Sequence, residues 1–292
     1  MTIAVYARPV KDNHADYIKT LSTKLNKENI KLIVHEDYFK FLKTEFKFNL
    51  DIPTFKSYSC IKGNVDFLIS LGGDGTILET LDLIRDSGIP VLGVNTGRLG
   101  FLASVYKEDF SMAIERLLNN KFKLDKREII ELNTSSGLFY DFNFAVNELT
   151  LLKKDSSSMI TIDTLVNGEY LNSYWADGLI VATPTGSTAY SLSCGGPIMV
   201  PDSENFVITP IAPHNLNVRP IILSNTNEIS LTVKGRSPEY MVSLDSRSAS
   251  IDSSIELKIK KANFTFNLIN LEGQHFFKTL RNKLMWGIDK RN

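Results

Sequence analysis

The sequence has few cysteines and no long apolar segment. Cys60 and Cys194 are its only two cysteines, too few for a disulfide framework, which favours a reducing compartment. No apolar run approaches the ~18 residues that a membrane-spanning helix needs. The apolar start Thr2–Tyr6 is followed at once by Arg8 and Pro9, which argues against a signal peptide. We therefore expect a cytoplasmic protein with no membrane partner.

Net charge and metal-binding patterns are absent as well. Lys and Arg total 33 and Asp and Glu total 33, so the net charge predicts no general attraction to nucleic acid. The four histidines (His14, His35, His214 and His275) have no spacing typical of a zinc site. A G-x-x-x-x-G-K-[ST] phosphate loop is missing, and Ser191–Gly195 lacks the first glycine of a G-x-S-x-G elbow. These patterns argue against conventional nucleoside triphosphatases and serine hydrolases.

What is present indicates two domains, as 292 residues allow at ~150 per domain. Residues 1–123 alternate strand and helix patterns. Val65–Leu71 predicts a strand, Ile77–Ile84 a helical face that Gly88 ends, and Pro90–Val94 a further strand. We predict an α/β domain with a Rossmann-like parallel sheet.

Residues 124–274 predict a mostly β domain, a sandwich of short strands. Asn167 and Gly168 form a strong hairpin signal, because both residues tolerate positive φ. The predicted strands are Glu128–Leu132, Phe142–Leu151, Ile160–Val166, Tyr170–Trp175, Gly178–Ala182, Phe206–Ile211, Glu228–Val233, Glu256–Ile259 and Phe264–Leu268.

The end of the chain regains helical spacing at Phe276–Leu284. A single helix after a β domain needs a surface to pack on, so we expect 275–292 to return to the first domain. The serine-rich stretches 156–158 and 246–254 are predicted to be polar loops.

Gly72–Thr76 (GGDGT) follows a strand and opens a helix, at the sheet edge where open α/β proteins bind ligands. Free amides at such a helix start suit phosphate. The run differs from the dinucleotide fingerprint, since Leu78 stands at the third glycine position. Asp74 repels phosphate unless a cation intervenes or its carboxylate has chemical work, such as accepting a proton or holding magnesium. The alternative is a tight turn with Asp74 as helix N-cap.

Two later segments carry polar groups suited to a nucleotide. Asn147 and Glu148 offer an amide and a carboxylate, enough to hold a ribose diol or an adenine edge, or equally a polar pair in a strand-end turn. Thr183–Ser193 is dense in hydroxyls that suit phosphates and sugars; its alternative is a loop that caps its own backbone. His214 is a structural or binding residue, and Arg247 reaches a phosphate or lies in a solvated loop.

These segments, in this order and with Gly93–Leu102 between the first two, resemble the bacterial-type NAD kinase family from about Val65 to Leu271. The resemblance implies a transferase that moves the γ-phosphate of ATP to the 2′-hydroxyl of the adenosine ribose of NAD, giving NADP and ADP. It also implies a divalent metal (magnesium or manganese), whose protein ligands remain unknown, and a homo-oligomer, either dimer or tetramer. The implied fold is an N-terminal α/β domain with a C-terminal β-sandwich.

The resemblance also implies residue roles. Asp74 is the general base and Gly75 shapes the phosphate turn. Asn147 and Glu148 hold the adenosine part of NAD, and Asp177 addresses the nicotinamide carboxamide. The other implied contacts are Trp175, Thr188, Ala189, Tyr190, Ser191, Leu192, Ser193, His214 and Arg247.

Two alternative functions remain at this level. The Gly72–Thr76 turn is shared with diacylglycerol kinase-like and phosphofructokinase proteins, so a lipid or sugar phosphate is another acceptor class. A non-catalytic dinucleotide sensor explains the hydroxyl-rich segment but gives Asp74 no task. Trp175 stands where the family often has a basic residue, which implies a lost charge contact or its replacement by stacking.

Overall fold

A computed structural model describes residues 1–9, 15–97, 100–103, 105–139, 142–154, 158–273 and 275–286. The chain forms two compact units, one of Met1–Lys126 with Phe266–Asn292 and one of Arg127–Thr265. The first is α/β and the second is all-β, as predicted. Within the described residues, no helix is both long and apolar enough to span a membrane. Ser156 and Ser157 of the first predicted polar loop lie outside the described residues.

The elements follow the chain from Thr2 to Leu284. The α-helices are α1 (Ala15–Lys27), α2 (Glu36–Phe46), α3 (Tyr58–Ile61), α4 (Asp74–Ile84), α5 (Phe110–Leu118), α6 (Tyr190–Ser193) and α7 (Phe276–Leu284). The first strands are β1 (Thr2–Ala7), β2 (Lys31–His35), β3 (Thr54–Phe55), β4 (Phe67–Leu71), β5 (Val91–Asn95), β6 (Val105–Tyr106), β7 (Phe122–Arg127), β8 (Ile130–Asn133), β9 (Phe144–Ala145) and β10 (Glu148–Lys153). The later strands are β11 (Ile160–Val166), β12 (Glu169–Ala176), β13 (Gly178–Ala182), β14 (Asn205–Ile211), β15 (Ile221–Ser224), β16 (Ile229–Lys234), β17 (Tyr240–Leu244), β18 (Arg247–Ile251), β19 (Leu257–Lys261) and β20 (Phe266–Leu271).

The first unit is built on a sheet with the order β3-β2-β1-β4-β5-β20-β7, and β6 also pairs with β5. Strands β1 to β6 and β20 pair in parallel. The apolar residues Ile18, Leu21 and Leu25 of α1 are buried in a core that also contains Val5 and Leu117. Because β4 and β5 are parallel neighbours, their carboxyl ends, and the turns that follow, share one edge of the sheet.

Strand β20 shows where the predicted domain boundary differs from the structure. The run Phe264–Leu268 is predicted as part of the sandwich, but the strand at 266–271 pairs in parallel with β5 (Leu268 with Val91) in the first unit. The units therefore change at 126/127 and 265/266, where the sequence suggests 123/124 and 274/275. Alternating apolar residues identify a strand but do not say which sheet it joins. Helix α7 also belongs to the first unit, with Leu280 buried.

The second unit consists of two six-stranded antiparallel sheets, β15-β14-β13-β10-β17-β18 and β12-β11-β16-β19-β8-β9. Side chains of both sheets, among them Leu149, Val181 and Leu231, share one apolar core, so the unit is the predicted sandwich. The hairpin between β11 and β12 turns at Asn167 and Gly168, whose φ angles are 52° and 82°. That hairpin prediction is confirmed.

The predicted polar loop at 246–254 is wrong for most of its length. Arg247–Ile251 is strand β18, which pairs with β17 across a tight turn at Asp245, where φ is 51°. Ser248 and Ser250 lie on the exposed face of this edge strand. Small polar side chains suffice on a face that meets water, so the serine content concealed a strand.

Candidate active site

Asp74 lies at the start of α4, directly after the turn that ends β4. Its Oδ2 accepts a hydrogen bond from the Phe101 amide (2.7 Å), and its Oδ1 accepts bonds from the amides of Leu102 and Ala103 (both 3.0 Å). The N-cap residue of the helix is Gly73, and no side-chain capping bond is present there. The N-cap interpretation of Asp74 is therefore wrong, since its carboxylate holds a different segment of the chain.

Gly100 explains why the segment at 100–103 approaches Asp74 so closely. A Cβ atom at Gly100 would lie 1.8 Å from Asp74 Oδ1, so only glycine fits there. A carboxylate oxygen accepts two hydrogen bonds. Among the described residues a single donor contacts Oδ2 of Asp74, so that oxygen retains an acceptor position. The turn thus holds a half-buried, oriented carboxylate at the carboxyl end of a parallel strand.

Arg8 is a charged neighbour of this turn that the sequence analysis missed. Its Nε and Nη2 atoms bind the two oxygens of Glu79 (2.7 and 2.6 Å), and Nη2 lies 3.4 Å from the Gly75 carbonyl oxygen. A Cβ at Gly75 would lie 3.6 Å from the same guanidinium. The signal was available, because Arg8 follows β1, the parallel neighbour of β4. A guanidinium group, held in place by Glu79, therefore lies beside the phosphate-type turn.

In the second unit, the structure brings two predicted segments together. Thr183 donates from its amide to the Asn147 carbonyl (2.9 Å) and from its hydroxyl to the Val146 carbonyl (2.6 Å). A Cβ at Gly186 would lie 2.1 Å from the Asn147 oxygen, so this close approach also requires glycine. The 146–148 turn and the Thr183–Ser193 segment therefore form one local structure.

Asp245 holds the same turn from another side, and the sequence analysis missed it. Its carboxylate accepts hydrogen bonds from the amides of Val146 (2.9 Å), Asn147 (2.8 Å) and Glu148 (3.2 Å). Burial raises the pKa of Asp245, while these amide bonds and Arg247 oppose the shift. No local motif marks this contact, because about a hundred residues separate the partners along the chain.

Arg247 makes contacts that neither prediction for it, a phosphate contact or a solvated loop, included. Its Nη1 donates to the Phe142 carbonyl (2.6 Å) and its Nη2 to the Phe144 carbonyl. The guanidinium also lies over the Phe142 ring, 4.4 Å from the centroid. It is thus not the solvated residue of a loop, and the contacts described tie it to the backbone just before Asn147.

Glu148 is the buried carboxyl group of this site, 9% exposed. Burial and the neighbouring charge of Asp245 raise its pKa to about 8. No donor within the described part of the chain contacts its Oε2 atom. A carboxyl in this state is protonated near neutral pH and can donate as well as accept a hydrogen bond.

Much of the hydroxyl-rich segment bonds to the protein itself. Ser187 donates to the Pro184 carbonyl (2.6 Å), Ser191 shares a bond with Thr209 (2.8 Å), and Thr188 donates to the Thr185 carbonyl (3.1 Å). For Ser187 and Thr188 the structure matches the backbone-capping alternative, whereas Ser191 bonds to a side chain of strand β14. The exposed members are Tyr190 and Ser193, while Thr188, Ala189 and Leu192 are half-buried and Ser191 is buried.

The remaining predicted contacts lie near the ends of β12 and β14. Trp175 and His214 are exposed, and their rings are tilted by 47° with centroids 4.3 Å apart. The His214 amide donates to the Trp175 carbonyl (2.9 Å). Asp177 pairs with Lys153, with Nζ 2.5 Å from Oδ1. The sequence did not predict this lysine, so Asp177 carries a partner that a ligand group would share or displace.

The predicted site residues are divided between the units. Asp74 and Gly75 belong to the first unit, and all the others belong to the second. In the described part of the chain, no group of three or more His, Cys, Asp or Glu side chains is placed to hold a metal ion. The residues that the structure describes therefore do not form a resident metal centre.

Comparison with known proteins identifies the family. The ATP-NAD kinase N-terminal domain matches residues 7–122, and the ATP-NAD kinase C-terminal domain matches residues 146–271. The chain belongs to the ATP-NAD kinase family. The predicted family is confirmed, and with it an enzyme of the NAD kinase type. The lipid or sugar-phosphate kinase and the non-catalytic sensor lose their support.

Relatives in this family match along the full chain. The NAD kinase of Flavobacterium psychrophilum is 48% identical over 294 residues, and that of Cytophaga hutchinsonii is 46% identical over 295 residues, each with 100% of both chains covered. Among solved structures, yeast NADH kinase complexed with NADH matches 99% of this chain and 88% of its own (TM-score 0.89, 23% identity). An Archaeoglobus fulgidus NAD kinase in complex with ATP matches 98% and 99% (TM-score 0.76, 26% identity). The two-unit architecture is thus the fold of NAD kinases.

Proposed function

We propose that this NAD kinase-family chain transfers the γ-phosphate of ATP to the 2′-hydroxyl of the adenosine ribose of NAD, with Asp74 as the residue that accepts the hydroxyl proton. The observation that carries this proposal is the Asp74 carboxylate, oriented by the amides of 101–103 and retaining an acceptor position on Oδ2. Phosphoryl transfer asks a protein mainly for alignment and charge neutralisation. A held carboxylate serves that need because it orients the nucleophilic hydroxyl.

The other residues take binding roles. Gly75 lets the donor phosphates approach the turn, and Arg8 places a positive charge beside it. Asn147 and Glu148 bind the adenosine part of NAD, with protonated Glu148 able to donate to an acceptor on the nucleotide.

The exposed side chains of the second unit complete the dinucleotide site. Trp175 and His214 provide an exposed aromatic surface, and Asp177 addresses the carboxamide while paired with Lys153. The segment Thr188–Ser193 lines the site, with Tyr190 and Ser193 exposed.

We propose that the divalent cation, magnesium or manganese, enters as part of the ATP complex. The described residues provide no cluster of metal-ligating side chains, and the Asp74 carboxylate is held by backbone amides. The phosphate oxygens of ATP are then its principal ligands. Activity is expected to require the cation, and a metal-free protein is expected to bind NAD unchanged in calorimetry.

The direct test is a reaction of the purified protein with ATP, magnesium and NAD, followed by a coupled assay for NADP. We expect NADP to form, and to form only with the dinucleotide, ATP and the cation together. If the folded protein forms no NADP under these conditions, the proposal is overturned. Parallel reactions with NADH, and with polyphosphate as donor, define the acceptor and donor preferences.

We also propose a cytoplasmic homo-oligomer, a dimer or tetramer. The two cysteines are unpaired, Cys60 exposed and Cys194 half-buried, which favours a reducing compartment. Cell fractionation tests the location. Light scattering on the purified protein tests the assembly, and a monomeric mass at working concentration would contradict it.

A further inference from the structure

The turn that presents Asn147 and Glu148 is held by a hairpin from much later in the sequence. Asp245 lies in the turn between β17 and β18 and accepts hydrogen bonds from three consecutive amides, those of Val146, Asn147 and Glu148. Few side chains can do this, because the acceptor must be short, carry two oxygens and point back over the turn. Asp245 also adopts a φ of 51°, a conformation that aspartate tolerates better than most residues.

We propose that Asp245 is a positioning residue of the dinucleotide site, which sets the orientation of Asn147 and Glu148 toward the nucleotide without touching it. This inference rests on the proposed function for its ligand. It adds a residue, and a physical role, that neither the motifs nor the family resemblance assigned.

The side chain of Asp245 is not needed to pair the strands. The backbone amide of Asp245 already donates to the Glu148 carbonyl (3.0 Å), and Leu244 pairs with Leu149 in the antiparallel ladder. The carboxylate instead acts on the residues just before and at the start of β10. Its removal is therefore expected to disturb the turn more than the sandwich.

The opposite edge of the turn is held as well, which makes the orientation specific. Thr183 binds the carbonyls of Val146 and Asn147, so both faces of the Asn147 peptide units are fixed. Arg247, two residues after Asp245, binds the carbonyls of Phe142 and Phe144 ahead of the turn. The β17–β18 hairpin thus binds the amides of the turn through the carboxylate of Asp245, and it binds the carbonyls ahead of the turn through the guanidinium of Arg247.

Two substitutions test the role. Asp245→Asn keeps the size but replaces one carboxylate oxygen by an NH₂ donor, which faces backbone N–H groups and cannot accept from them. Arg247→Lys leaves Asp245 in place but offers a point charge where two carbonyls need a forked donor. Asp252→Asn is the matched control, because Asp252 accepts a backbone amide bond from Ser254 (2.7 Å) in an exposed turn of the same unit.

The readout is the KM for NAD measured against the KM for ATP and kcat, with NAD binding followed separately by calorimetry. A displacement of about 1 Å in a positioned group costs roughly 10²-fold, so we expect Asp245→Asn to raise the KM for NAD by ~10–100-fold. The KM for ATP is expected to stay within about twofold. A general loss of folded enzyme would lower the rate and change neither KM, so the comparison of the two KM values separates a local effect from misfolding. Arg247→Lys is expected to give a smaller rise in the same KM, and Asp252→Asn none.

The outcomes separate this inference from the proposed function. If the wild type forms NADP and Asp245→Asn has an unchanged KM for NAD, the positioning role is wrong and the function stands. If Asp245→Asn does not fold by circular dichroism, Arg247→Lys decides, and an unchanged KM for NAD there overturns the role. If the wild type forms no NADP, calorimetry decides. Weaker NAD binding by Asp245→Asn than by the wild type supports the role. Equal NAD binding by the two proteins, or no NAD binding by the wild type, overturns it.

Discussion

Two aspartates in different units of this protein use the same hydrogen-bond arrangement for different ends. Asp74 accepts the amides of residues 101–103, and Asp245 accepts the amides of residues 146–148. Asp74 follows a parallel strand at an open sheet edge, so its carboxylate remains available to a ligand. Asp245 lies in a hairpin turn over another strand, where burial raises its pKa. The roles proposed for the two aspartates therefore differ because of where each one lies in its unit, and not because of its hydrogen bonds.

The charged groups around the two aspartates differ as well. The turn that contains Asp74 has the Arg8 guanidinium beside it, and that guanidinium is paired with Glu79. Asp245 has a cation, Arg247, and an acidic neighbour, Glu148. Burial and the charge of Asp245 raise the pKa of Glu148 to about 8, which favours the protonated form that can donate a hydrogen bond.

The largest effect is expected for Asp74→Asn. The substitution removes the proton acceptor, and general-base contributions of this kind are worth about 10²–10⁴-fold in rate. We expect kcat to fall in that range while NAD binding changes by no more than a few fold. Steady-state kinetics with calorimetry make the measurement. Asp82→Asn on the same helix is the control, and a normal rate for Asp74→Asn would refute the base assignment.

Gly100→Ala tests whether the segment at 100–103 orients Asp74. The new Cβ would lie 1.8 Å from Asp74 Oδ1, so the segment or the carboxylate must move. A displacement of this size is expected to lower kcat by roughly 10²-fold. Gly97→Ala is the matched control, because a Cβ there meets no atom within 4 Å. Equal rates for the two variants would show that the contact is not needed.

Arg8→Gln tests whether Arg8 contributes to binding of the donor phosphates rather than of the dinucleotide. Hydrogen bonds to charged groups contribute about 1.5–3 kcal/mol, so we expect the KM for ATP to rise about tenfold or more. The KM for NAD is expected to stay near the wild-type value. Arg85→Gln, which removes the other ion-paired arginine near α4, serves as control. A larger increase in the KM for NAD than in the KM for ATP would show that Arg8 serves the dinucleotide and not the donor phosphates.

The smallest effect concerns stability and pH at Glu148. Its pKa is raised from 4.5 to about 8 by burial and by Asp245, with Cys194 as a further nearby titratable group. The folded state therefore holds this proton more tightly than the unfolded chain, and the contribution is lost as pH rises from about 4.5 through about 8. Glu148→Gln, which cannot ionise, is expected to match the wild type in Tm at low pH.

At pH 9 the same variant is expected to unfold at least a few °C above the wild type, because the wild type then carries a buried ionised carboxylate that glutamine does not. Differential scanning calorimetry at both pH values makes the comparison. Glu239→Gln at the surface is the control. A constant difference at every pH would mean that Glu148 does not titrate in this range.

Local patterns were enough for the features whose cause is local. The Gly72–Thr76 turn and the Asn167–Gly168 hairpin follow from glycine and asparagine backbone freedom at fixed spacing. The same patterns misplaced β20 and concealed β18, because strand periodicity reports burial on one face and not the pairing partner. Arg8 was recoverable from its place after β1; Asp245 had no such signal.

The sequence by itself determined the order of the two domains, the family, the phosphate-type turn and the identity of the acidic residue within it. The family followed from the resemblance of several motifs along the chain. The other properties depend on neighbours within a few positions, where backbone geometry and side-chain chemistry act directly. Only the tertiary structure decided what each carboxylate touches: the amides of 101–103 for Asp74, those of 146–148 for Asp245, and a buried environment for Glu148. Hydrogen bonds and burial depend on distance in space, which chain separation does not fix.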